Sequence, residues 1–587
     1  MHFKRNILAI VVFIILVGFI NIQESSSQSC NNCNSTSVDF RVDGCTVVIV
    51  GKKASTDGSV ISTHTCDCGV CDWTWRYVPP KDHEEGDMRK IYWFDQFKTT
   101  PPDMGLRWDA IESNFNGLEI PQVPHTYGYF HGAFGYMNDN QVAIGESTIG
   151  NRKEMDNNTP APKFDITALT MIAMERAKTA REAIQIMGDF ATKYGYGHTD
   201  SGEMLALTDQ NEAWIFEIFP VGPLWVPESG IPGAVWCAQR VPDDHVSICP
   251  NESRIGEIDL NNKDYFMASE NVISYAVDNG YYDPDSKKPF NWKRAYSPSE
   301  FSATSSNGSR GRMWRFFDLV APSKKFSADT PNMNFPFSIK PEKKYSVYDI
   351  MVMLRDKFDG TQFWTARGIQ GGPFQNPNYI PYGFKLDDKK YNTPRCIGVN
   401  RAEYVIITQC RDWLPNPIGG LFWLGFGPQD THCSMPFYQG VTEIPRSFEI
   451  GDHWEFNRKS ARWAFDYVDF HTQVVYSYAI QDVRKAQGKW EKSAVDRTAE
   501  IDRKAMELYK ESPDLAREYL TEYCNNNANL VINAWWELGD QLLVKYNKLW
   551  IYDVKERKRK PLEYPEWWLN ELVKYNDLRP QPEEKQE

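Results

Sequence analysis

The chain has 587 residues, which is long enough for one large catalytic domain with appendages or for several smaller domains. Its formal net charge of −13 argues against a nucleic-acid partner, because phosphate binding calls for a basic face. Aromatic residues make up 14% of the chain, which favours a packed globular protein over a flexible scaffold.

The first 27 residues are typical of a secretory signal peptide. Lys4 and Arg5 precede an apolar run over residues 7–20, and a polar segment follows. This run is shorter than the roughly 20 residues that a membrane-spanning helix needs. We therefore expect export to a periplasm, a cell surface or the medium, with no stable membrane insertion. Residues 28–44 are rich in Ser and Asn, and they are predicted to be a linker or removable pro-segment.

From Cys45 onward the sequence predicts antiparallel strands. The run CTVVIV, the turn signal Asp57-Gly58 and the run VISTHT together indicate a hairpin. A turn at 138–140 is followed by a predicted strand over 141–145. The stretch EMLALTDQNEAWIFEIF indicates a second hairpin.

The hydrophobic period becomes helical after Asp165, which is a candidate N-cap. A break is predicted near Lys178-Thr179 and a stop at Gly195. Hairpins followed by paired helices and more hairpins indicate an α+β architecture with antiparallel sheets.

The chain is charged and helical beyond about residue 482, and Ser512-Pro513 is predicted to begin a helix there. We divide the chain into a signal peptide, a pro-segment, a catalytic domain and a C-terminal helical region with a frayed tail. Their predicted bounds are 1–27, 28–44, 45–481 and 482–587.

Twelve cysteines in an exported protein predict that most of them form disulfides. Cys237 and Cys249 flank a strand, a turn and a strand, which predicts a cross-strand disulfide. Cys66, Cys68 and Cys71 in CDCGVC offer three zinc ligands, but no second Cys/His pair at the spacing of a zinc ribbon or finger completes the set.

Two interpretations compete for Cys45, which follows Asp43-Gly44 and precedes a strand. It is half of a disulfide, with Cys66 or Cys68 as the partner, or it is a nucleophile released when the Gly44–Cys45 bond is cut. The free α-amine has a reference pKa of about 7.7–8.0 and the thiol one of about 8.5, so the amine can take the thiol proton near neutral pH. Nucleophile and base then share one residue.

The stretch GCTVVIVGKKASTDGSV, followed by THTCD, resembles the opening of the dipeptidase A and secernin family. That family comprises cysteine members of the N-terminal nucleophile hydrolase superfamily, which also includes penicillin acylases and bile-salt hydrolases. Further matches follow in order: GYMNDNQVAIGESTIG, GAVWCAQRVPDDHVSICPNESRIGEID, GRMWR and MPFYQGVTEIPRSF. The resemblance implies a four-layer αββα sandwich, with Cys45 at the start of a central strand.

The resemblance also implies roles for four residues. Cys45 matches the nucleophile, and Asp67 matches the acidic residue that orients the α-amine and the nucleophile. Asn251 matches an asparagine whose amide donates to the oxyanion, and Arg312 matches an arginine that stabilises charge near the nucleophile. The cleavage site would be the bond between Gly44 and Cys45.

Two positions depart from the acylase pattern. His64 stands where an arginine is expected, and Thr148 stands where a second oxyanion asparagine is expected. His64 can donate a hydrogen bond or tune the amine, but it titrates near neutrality. Thr148 can donate one weaker hydrogen bond. Glu146 could bind the free amine of a dipeptide, or it could be a solvated carboxylate at a strand end.

Other interpretations stay open for the same residues. Asp67 could be a turn residue, and Arg312 could lie on the surface. Asn251 begins the glycosylation sequon Asn251-Glu252-Ser253, although a buried position would forbid that modification.

The sequence therefore predicts that Cys45 hydrolyses a peptide bond in a dipeptide or short peptide, with no metal and no other cofactor. A homo-oligomer is compatible with this prediction. One competitor is an acylase that uses the same residues on N-acyl compounds. The other is a surface-binding protein with a dead hydrolase fold, which an uncut Gly44–Cys45 bond would favour, because a blocked amine cannot act as a base.

Overall fold

A computed structural model of the chain describes residues 44–69, 71–93, 114–132, 136–197, 201–298, 306–381, 383–393, 395–576 and 578–580. The predicted signal peptide and residues 28–43 of the predicted pro-segment lie outside the described residues. Within the described part, no helix is long and apolar enough to cross a membrane.

The described residues form strands that belong to two large sheets and four two-stranded ribbons. In chain order the strands are β1 Cys45–Val50, β2 Val60–Cys66, β3 Arg76–Val78, β4 Lys81–Asp82, β5 Met88–Tyr92, β6 Phe115–Pro121, β7 His125–Thr126, β8 Tyr129–His131, β9 Tyr136–Asn138, β10 Ala143–Ile149, β11 Gly202–Thr208, β12 Ala213–Phe219, β13 Val235–Val241, β14 Val246–Cys249, β15 Phe266–Ala268, β16 Gly383–Leu386, β17 Lys389–Asn392, β18 Tyr404–Cys410, β19 Leu421–Phe426, β20 Met435–Tyr438, β21 Trp550–Asp553 and β22 Lys558–Pro561.

The described helices are mostly short, except for two long ones near the C-terminus, which have 36 and 33 residues. In chain order they are α1 Ile166–Arg176, α2 Ala180–Tyr194, α3 Ser274–Asp278, α4 Trp292–Tyr296, α5 Ser306–Val320, α6 Val347–Met353, α7 Asn416–Gly419, α8 Ala461–Val474, α9 Tyr476–Glu511, α10 Pro513–Lys545 and α11 Glu566–Asn576.

The two large sheets confirm the predicted antiparallel α+β class. One sheet has the strand order β14-β1-β2-β18-β19-β20, and the other has the order β15-β13-β12-β11-β10-β9-β8-β3. Strand β1 pairs antiparallel with β14 on one side and with β2 on the other, so the predicted first hairpin is confirmed. Strands β11 and β12 form the second predicted hairpin.

The sheets approach each other where β10, β11 and β12 contact β2 and where β10 contacts β1. Gly145 of β10 lies so close to β2 that a Cβ atom on it would stand 2.5 Å from the carbonyl oxygen of Thr63. A glycine is therefore required here, and the close approach brings the residue after it, Glu146, next to His64 and Cys45.

Helices pack on both sheets. Helices α1 and α2 contact strands of the eight-stranded sheet, and α8, α9 and α10 contact β19 and β20 of the six-stranded sheet. Helix α1 begins after Asp165, whose side chain accepts a hydrogen bond from the Ala168 N–H. Helix α2 begins after Thr179, so the predicted break is confirmed.

In the C-terminal region, the predicted start of a helix at Ser512-Pro513 is confirmed. Ser512 caps α10 and Pro513 is its first residue, as predicted. Helix α9, however, runs through the predicted domain boundary between residues 481 and 482 without a break. The division into domains stays a prediction.

Most of the predicted disulfides are absent from the described residues, where Cys68–Cys71 is the disulfide that forms. The prediction of a bond between Cys237 and Cys249 is wrong, since both thiols are free. The reason is topological: Cys237 lies on β13 of the eight-stranded sheet, whereas Cys249 lies on β14 of the other sheet. The zinc interpretation of Cys66, Cys68 and Cys71 fails because two of the three sulfurs bond to each other.

Candidate active site

Cys45 is the first residue of β1, and its side chain is buried with a free thiol. It lies opposite Cys66 in the register of β1 and β2, yet both cysteines are free, and Cys68 is bonded to Cys71. The disulfide interpretation of Cys45 is therefore wrong.

The thiol lies between a carboxylate and an imidazole. The Cys45 Sγ donates to Glu146 Oε2 at 3.2 Å, and His64 Nε2 lies 3.4 Å from the same sulfur. The Glu146 Oε2 and His64 Nε2 atoms are 3.5 Å apart, so the three atoms form a nearly equilateral triangle. All three side chains are buried. The interpretation of Glu146 as a solvated strand end is wrong.

Electrostatics fix where the proton sits in the uncut chain. Burial, and then the negative charge of Glu146, hold the pKa of the Cys45 thiol well above its ordinary value. Burial raises the pKa of Glu146, but hydrogen bonds from His64, Glu203 and the thiol outweigh it and leave the pKa below its ordinary value. The thiol is therefore protonated and donates to a carboxylate.

Glu203 is a residue of the site that the sequence did not reveal. It lies on β11 opposite Thr148 of β10, and burial, together with the charge of Glu146, holds its pKa well above the ordinary value. Glu203 is therefore neutral and hydrogen-bonded to Glu146, so the two carboxyl groups carry one negative charge. In the sequence, Glu203 is marked only by its position near the start of a predicted strand. Solvated glutamates are also common at such positions.

The main-chain nitrogen of Cys45 is held by Asn251. The Cys45 N–H donates to Asn251 Oδ1 at 3.2 Å, while Asn251 Nδ2 donates to the Thr148 carbonyl oxygen at 2.8 Å. The hydroxyl of Thr148 donates to Glu146 Oε1 at 3.0 Å. Asn251 and Thr148 thus lie beside Cys45, and their roles as oxyanion donors stay predictions because both donor groups have other acceptors here.

Arg312 of α5 joins two segments of the site. Its Nη1 donates to the Cys45 carbonyl oxygen at 2.7 Å, and its Nη2 donates to Pro250 O and Asn251 Oδ1, both at 2.9 Å. The side chain is buried, so the interpretation of Arg312 as a surface residue is wrong. Burial, and then the nearby Arg395, lower the pKa of its guanidinium well below the ordinary value.

Asp67 follows β2 directly and is fully buried, which excludes an exposed turn position. Its Oδ2 accepts from Arg395 Nη2 at 2.6 Å, and its Oδ1 is buried without a hydrogen-bond partner among the described residues. The Asp67 N–H donates to the Gly44 carbonyl oxygen at 2.9 Å. Arg395, which stands far downstream in NTPRCIGVN, could not have been assigned to this site from sequence spacing.

The residue before the predicted cleavage point has no room for a side chain. A Cβ atom on Gly44 would stand 2.4 Å from Asn251 Oδ1 and 2.6 Å from Arg395 Nη1. A glycine is therefore needed for Cys45, Asn251 and Arg395 to keep their contacts while the Gly44–Cys45 bond is intact.

A buried cysteine at the start of a strand, held at its nitrogen by an asparagine and at its sulfur by a carboxylate and an imidazole, is an arrangement that suits a cysteine-type hydrolase. The chain belongs to Peptidase family C69, whose model matches residues 44–489. The match begins at the residue before Cys45. The predicted resemblance to the dipeptidase A family and the prediction of a cysteine-type peptidase are confirmed.

Several relatives carry dipeptidase names. The chain is 24% identical over 477 residues to a probable dipeptidase of Latilactobacillus sakei, with 78% of this chain and 88% of the relative covered. It is 25% identical over 424 residues to dipeptidase A of Lactobacillus helveticus, with 70% and 79% covered. A solved structure of penicillin V acylase from Agrobacterium tumefaciens matches with a TM-score of 0.27 and 11% identity, covering 69% of this chain and 89% of that chain.

Proposed function

We propose that the chain is an exported cysteine dipeptidase, in which Cys45 becomes the N-terminal nucleophile when the Gly44–Cys45 bond is cut. The observation that carries the proposal is the position of the Cys45 thiol between Glu146 and His64, with its nitrogen on Asn251. The dipeptidase names of the relatives support the substrate class.

Self-cleavage needs a base other than the nitrogen of Cys45, because that nitrogen is an amide in the uncut chain. Glu146 accepts the thiol proton as Sγ attacks the carbonyl carbon of Gly44. The Asp67 N–H, which already bonds to the Gly44 oxygen, stabilises the charge that develops there. The C–N bond then breaks, the released amine takes the proton, and water hydrolyses the thioester.

In turnover the released α-amine acts as the base. It takes the thiol proton, the thiolate attacks the scissile carbonyl of the peptide, and the ammonium protonates the leaving amine. Water then hydrolyses the thioester with the same amine as base. The free Oδ1 of Asp67 and the Oδ1 of Asn251 are suitable acceptors for the ammonium. Asn251 and Thr148 become oxyanion donors when substrate displaces their present acceptors.

The Glu146–Glu203 pair gives the site its preference for a free amino group. In a dipeptide the α-amine is one bond from the carbon next to the scissile carbonyl, so it comes close to the nucleophile. The carboxylate of Glu146 is 3.2 Å from the Cys45 sulfur, which suits an ion pair with that ammonium. An N-acyl substrate lacks this charge.

Two further parts of the proposal concern architecture and compartment. The contacts of α1 and α2 with one sheet, and of α8 to α10 with the other, support a four-layer αββα sandwich. The composition of residues 1–27 supports export, as does the Cys68–Cys71 disulfide, since disulfides persist in oxidising compartments.

The decisive experiment is intact mass and amino-terminal sequencing of the exported protein and of Cys45→Ala. We expect the wild type to begin at Cys45 and the variant to keep the peptide bond between residues 44 and 45. The matched control is Cys66→Ala, the neighbouring buried cysteine, which should still be cut. An intact Gly44–Cys45 bond in the wild type would overturn the proposal and favour a binding protein.

Substrate class is tested on the cut enzyme with pairs of free and N-acetylated dipeptides. We expect the free dipeptides to be hydrolysed with the higher kcat/KM, and we expect Glu146→Gln to reduce that preference. If N-acetylated compounds are cleaved as well as free ones, the chain is an acylase that uses the same nucleophile.

A further inference from the structure

We propose that Cys45, His64 and Glu146 together form a binding site for one Zn²⁺ ion, and that the bound ion switches the nucleophile off. The binding step follows from the geometry alone. The inhibitory consequence rests on the proposed function, because it requires Cys45 to be the nucleophile.

The separations of the three ligand atoms lie within about 0.5 Å of those in a tetrahedral zinc site. With Zn–S of about 2.3 Å and Zn–N and Zn–O of about 2.0–2.2 Å, tetrahedral ligands stand about 3.3–3.6 Å apart. The Cys45 Sγ lies 3.2 Å from Glu146 Oε2 and 3.4 Å from His64 Nε2. The remaining edge, between His64 and Glu146, is 3.5 Å. One ion can therefore reach all three atoms with little movement.

The ligands are held in place by their neighbours. The Thr148 hydroxyl donates to Glu146 Oε1, which leaves Oε2 directed at the sulfur and the imidazole. The His64 ring packs edge-on against Tyr404, with ring centroids 5.5 Å apart. Such support fixes the orientation of a ligand and strengthens metal binding.

The charge and the ligand types also favour zinc. A thiolate and a carboxylate neutralise the two positive charges of the ion, so the complex of Cys45, Glu146 and neutral His64 carries no net charge in its buried position. Sulfur and imidazole ligands select zinc over the hard cations Ca²⁺ and Mg²⁺. Binding releases the thiol proton to solvent.

Three protein ligands leave the fourth tetrahedral position open. A water molecule can fill it in the uncut chain. In the cut enzyme the α-amine of Cys45 can fill it, and amine and thiolate of one residue then close a five-membered chelate ring. In either case the thiolate electron pair is bound to the metal, so it cannot attack a carbonyl carbon.

Metal binding is measured on tag-free, chelator-treated protein by titrating Zn²⁺ in competition with a chromophoric chelator. We expect one ion per chain. We also expect Co²⁺ to give a thiolate-to-cobalt charge-transfer band together with the visible bands of tetrahedral cobalt. His64→Gln and Glu146→Gln should each weaken zinc binding by about tenfold or more.

Two matched variants keep the site intact. Cys66→Ser changes the buried cysteine opposite Cys45 in the sheet, and His432→Gln changes a buried histidine outside the cluster. Both should bind zinc like the wild type. If the wild-type protein binds Co²⁺ but shows no thiolate-to-cobalt charge-transfer band, the proposed site is wrong. This result does not depend on any variant. Zinc binding unchanged in both ligand variants would also overturn the proposed site.

The zinc-site proposal and the proposed function can be tested separately, because zinc binding is measured without measuring peptide hydrolysis. In an active preparation, one equivalent of Zn²⁺ should abolish dipeptide hydrolysis and a chelator should restore it. A protein that cleaves dipeptides and binds no zinc contradicts only the metal site. A protein that binds zinc through these ligands but stays uncut contradicts only the peptidase proposal.

Discussion

Two regions of the molecule bury acidic side chains, and the bonding partners of these acids differ between the two regions. In the helix–sheet junction, where the C-terminal helices and their neighbours meet the six-stranded sheet, acids bond directly to guanidinium groups: Arg355–Glu491, Arg411–Asp502 and Arg462–Glu403. In the active-site cluster, Glu146 bonds instead to a thiol, a hydroxyl, an imidazole and Glu203. The charges of these three junction pairs neutralise each other, whereas the carboxylate beside Cys45 is available to accept a proton or a ligand.

The sharpest test of this contrast is Glu146→Gln. Removing the carboxylate removes the proposed base for self-cleavage, and we expect the rate to fall by about 10²–10⁴. The amide keeps a hydrogen-bonding oxygen, so the urea midpoint of unfolding should change little. The rate is measured as the change of mass over time in cell-free translation.

A matched variant on the same pair of strands is Glu203→Gln. Glu203 is neutral in the folded chain, so an amide is close to an isostere of it, and self-cleavage should slow by less than about tenfold. An equal loss in both variants would mean that the pair, rather than the Glu146 carboxylate, acts as the base.

The opposite outcome is expected for Glu491→Gln in the junction. Glu491 accepts from Arg355 and from the Ser434 N–H, and the variant leaves the buried guanidinium without its counter-charge. Breaking such a pair costs about 3–5 kcal/mol of stability. The loss is measured by urea unfolding, and the folded fraction should still cut its own chain.

The control for this loss is Glu507→Gln, which breaks an exposed ion pair with Arg503. An exposed pair contributes about 0–1 kcal/mol, so the unfolding midpoint should scarcely move. The opposite result is that Glu491→Gln stops self-cleavage while the urea midpoint of unfolding stays unchanged. In that case the junction would take part in the cleavage reaction, and the contrast between the junction and the cluster around Cys45 would be wrong.

The smallest effect concerns Asp469 of α8, a junction acid bonded to Thr431 and Gln473 rather than to an arginine. Burial, and then the negative charge of Asp430, raise its pKa to about 7. The unfolded side chain has a pKa of about 3.9, so the folded state holds the extra proton and stability falls as pH rises from about 4 to about 7. Asp469→Asn keeps the acceptor oxygen and should flatten that fall in urea titrations. An equal slope in the variant would assign the pH dependence to another group.

Much of the local structure could be predicted because its causes are local. Asp165 and Thr179 begin helices through their own side chains, and the β-branched run after Cys45 forms the strand β1. The seven predicted site side chains also lie in one cluster around Cys45, because the ordered family motifs identified residues from separate strands and a helix. The roles given to Asn251, Arg312 and Thr148 stay predictions, as does the cleavage itself.

The rest depended on contacts that spacing does not encode. Arg395 meets Asp67 across 328 positions of the chain, and Glu203 meets Glu146 only because β11 pairs with β10. The Cys237–Cys249 prediction failed for the same reason. It assumed that two successive strands pair, whereas they enter different sheets.

The Cys68–Cys71 bond has a practical consequence for anyone who handles this enzyme. Cysteine peptidases are commonly kept in a thiol reductant to protect the nucleophile from oxidation. Here the same reagent acts on a covalent link that begins at the residue after Asp67, the acid bonded to Arg395. Both sulfurs of that link are buried, so exchange must wait for local opening. Brief reduction should therefore preserve the Cys45 thiol, while prolonged storage in reductant should slowly loosen the segment that follows Asp67.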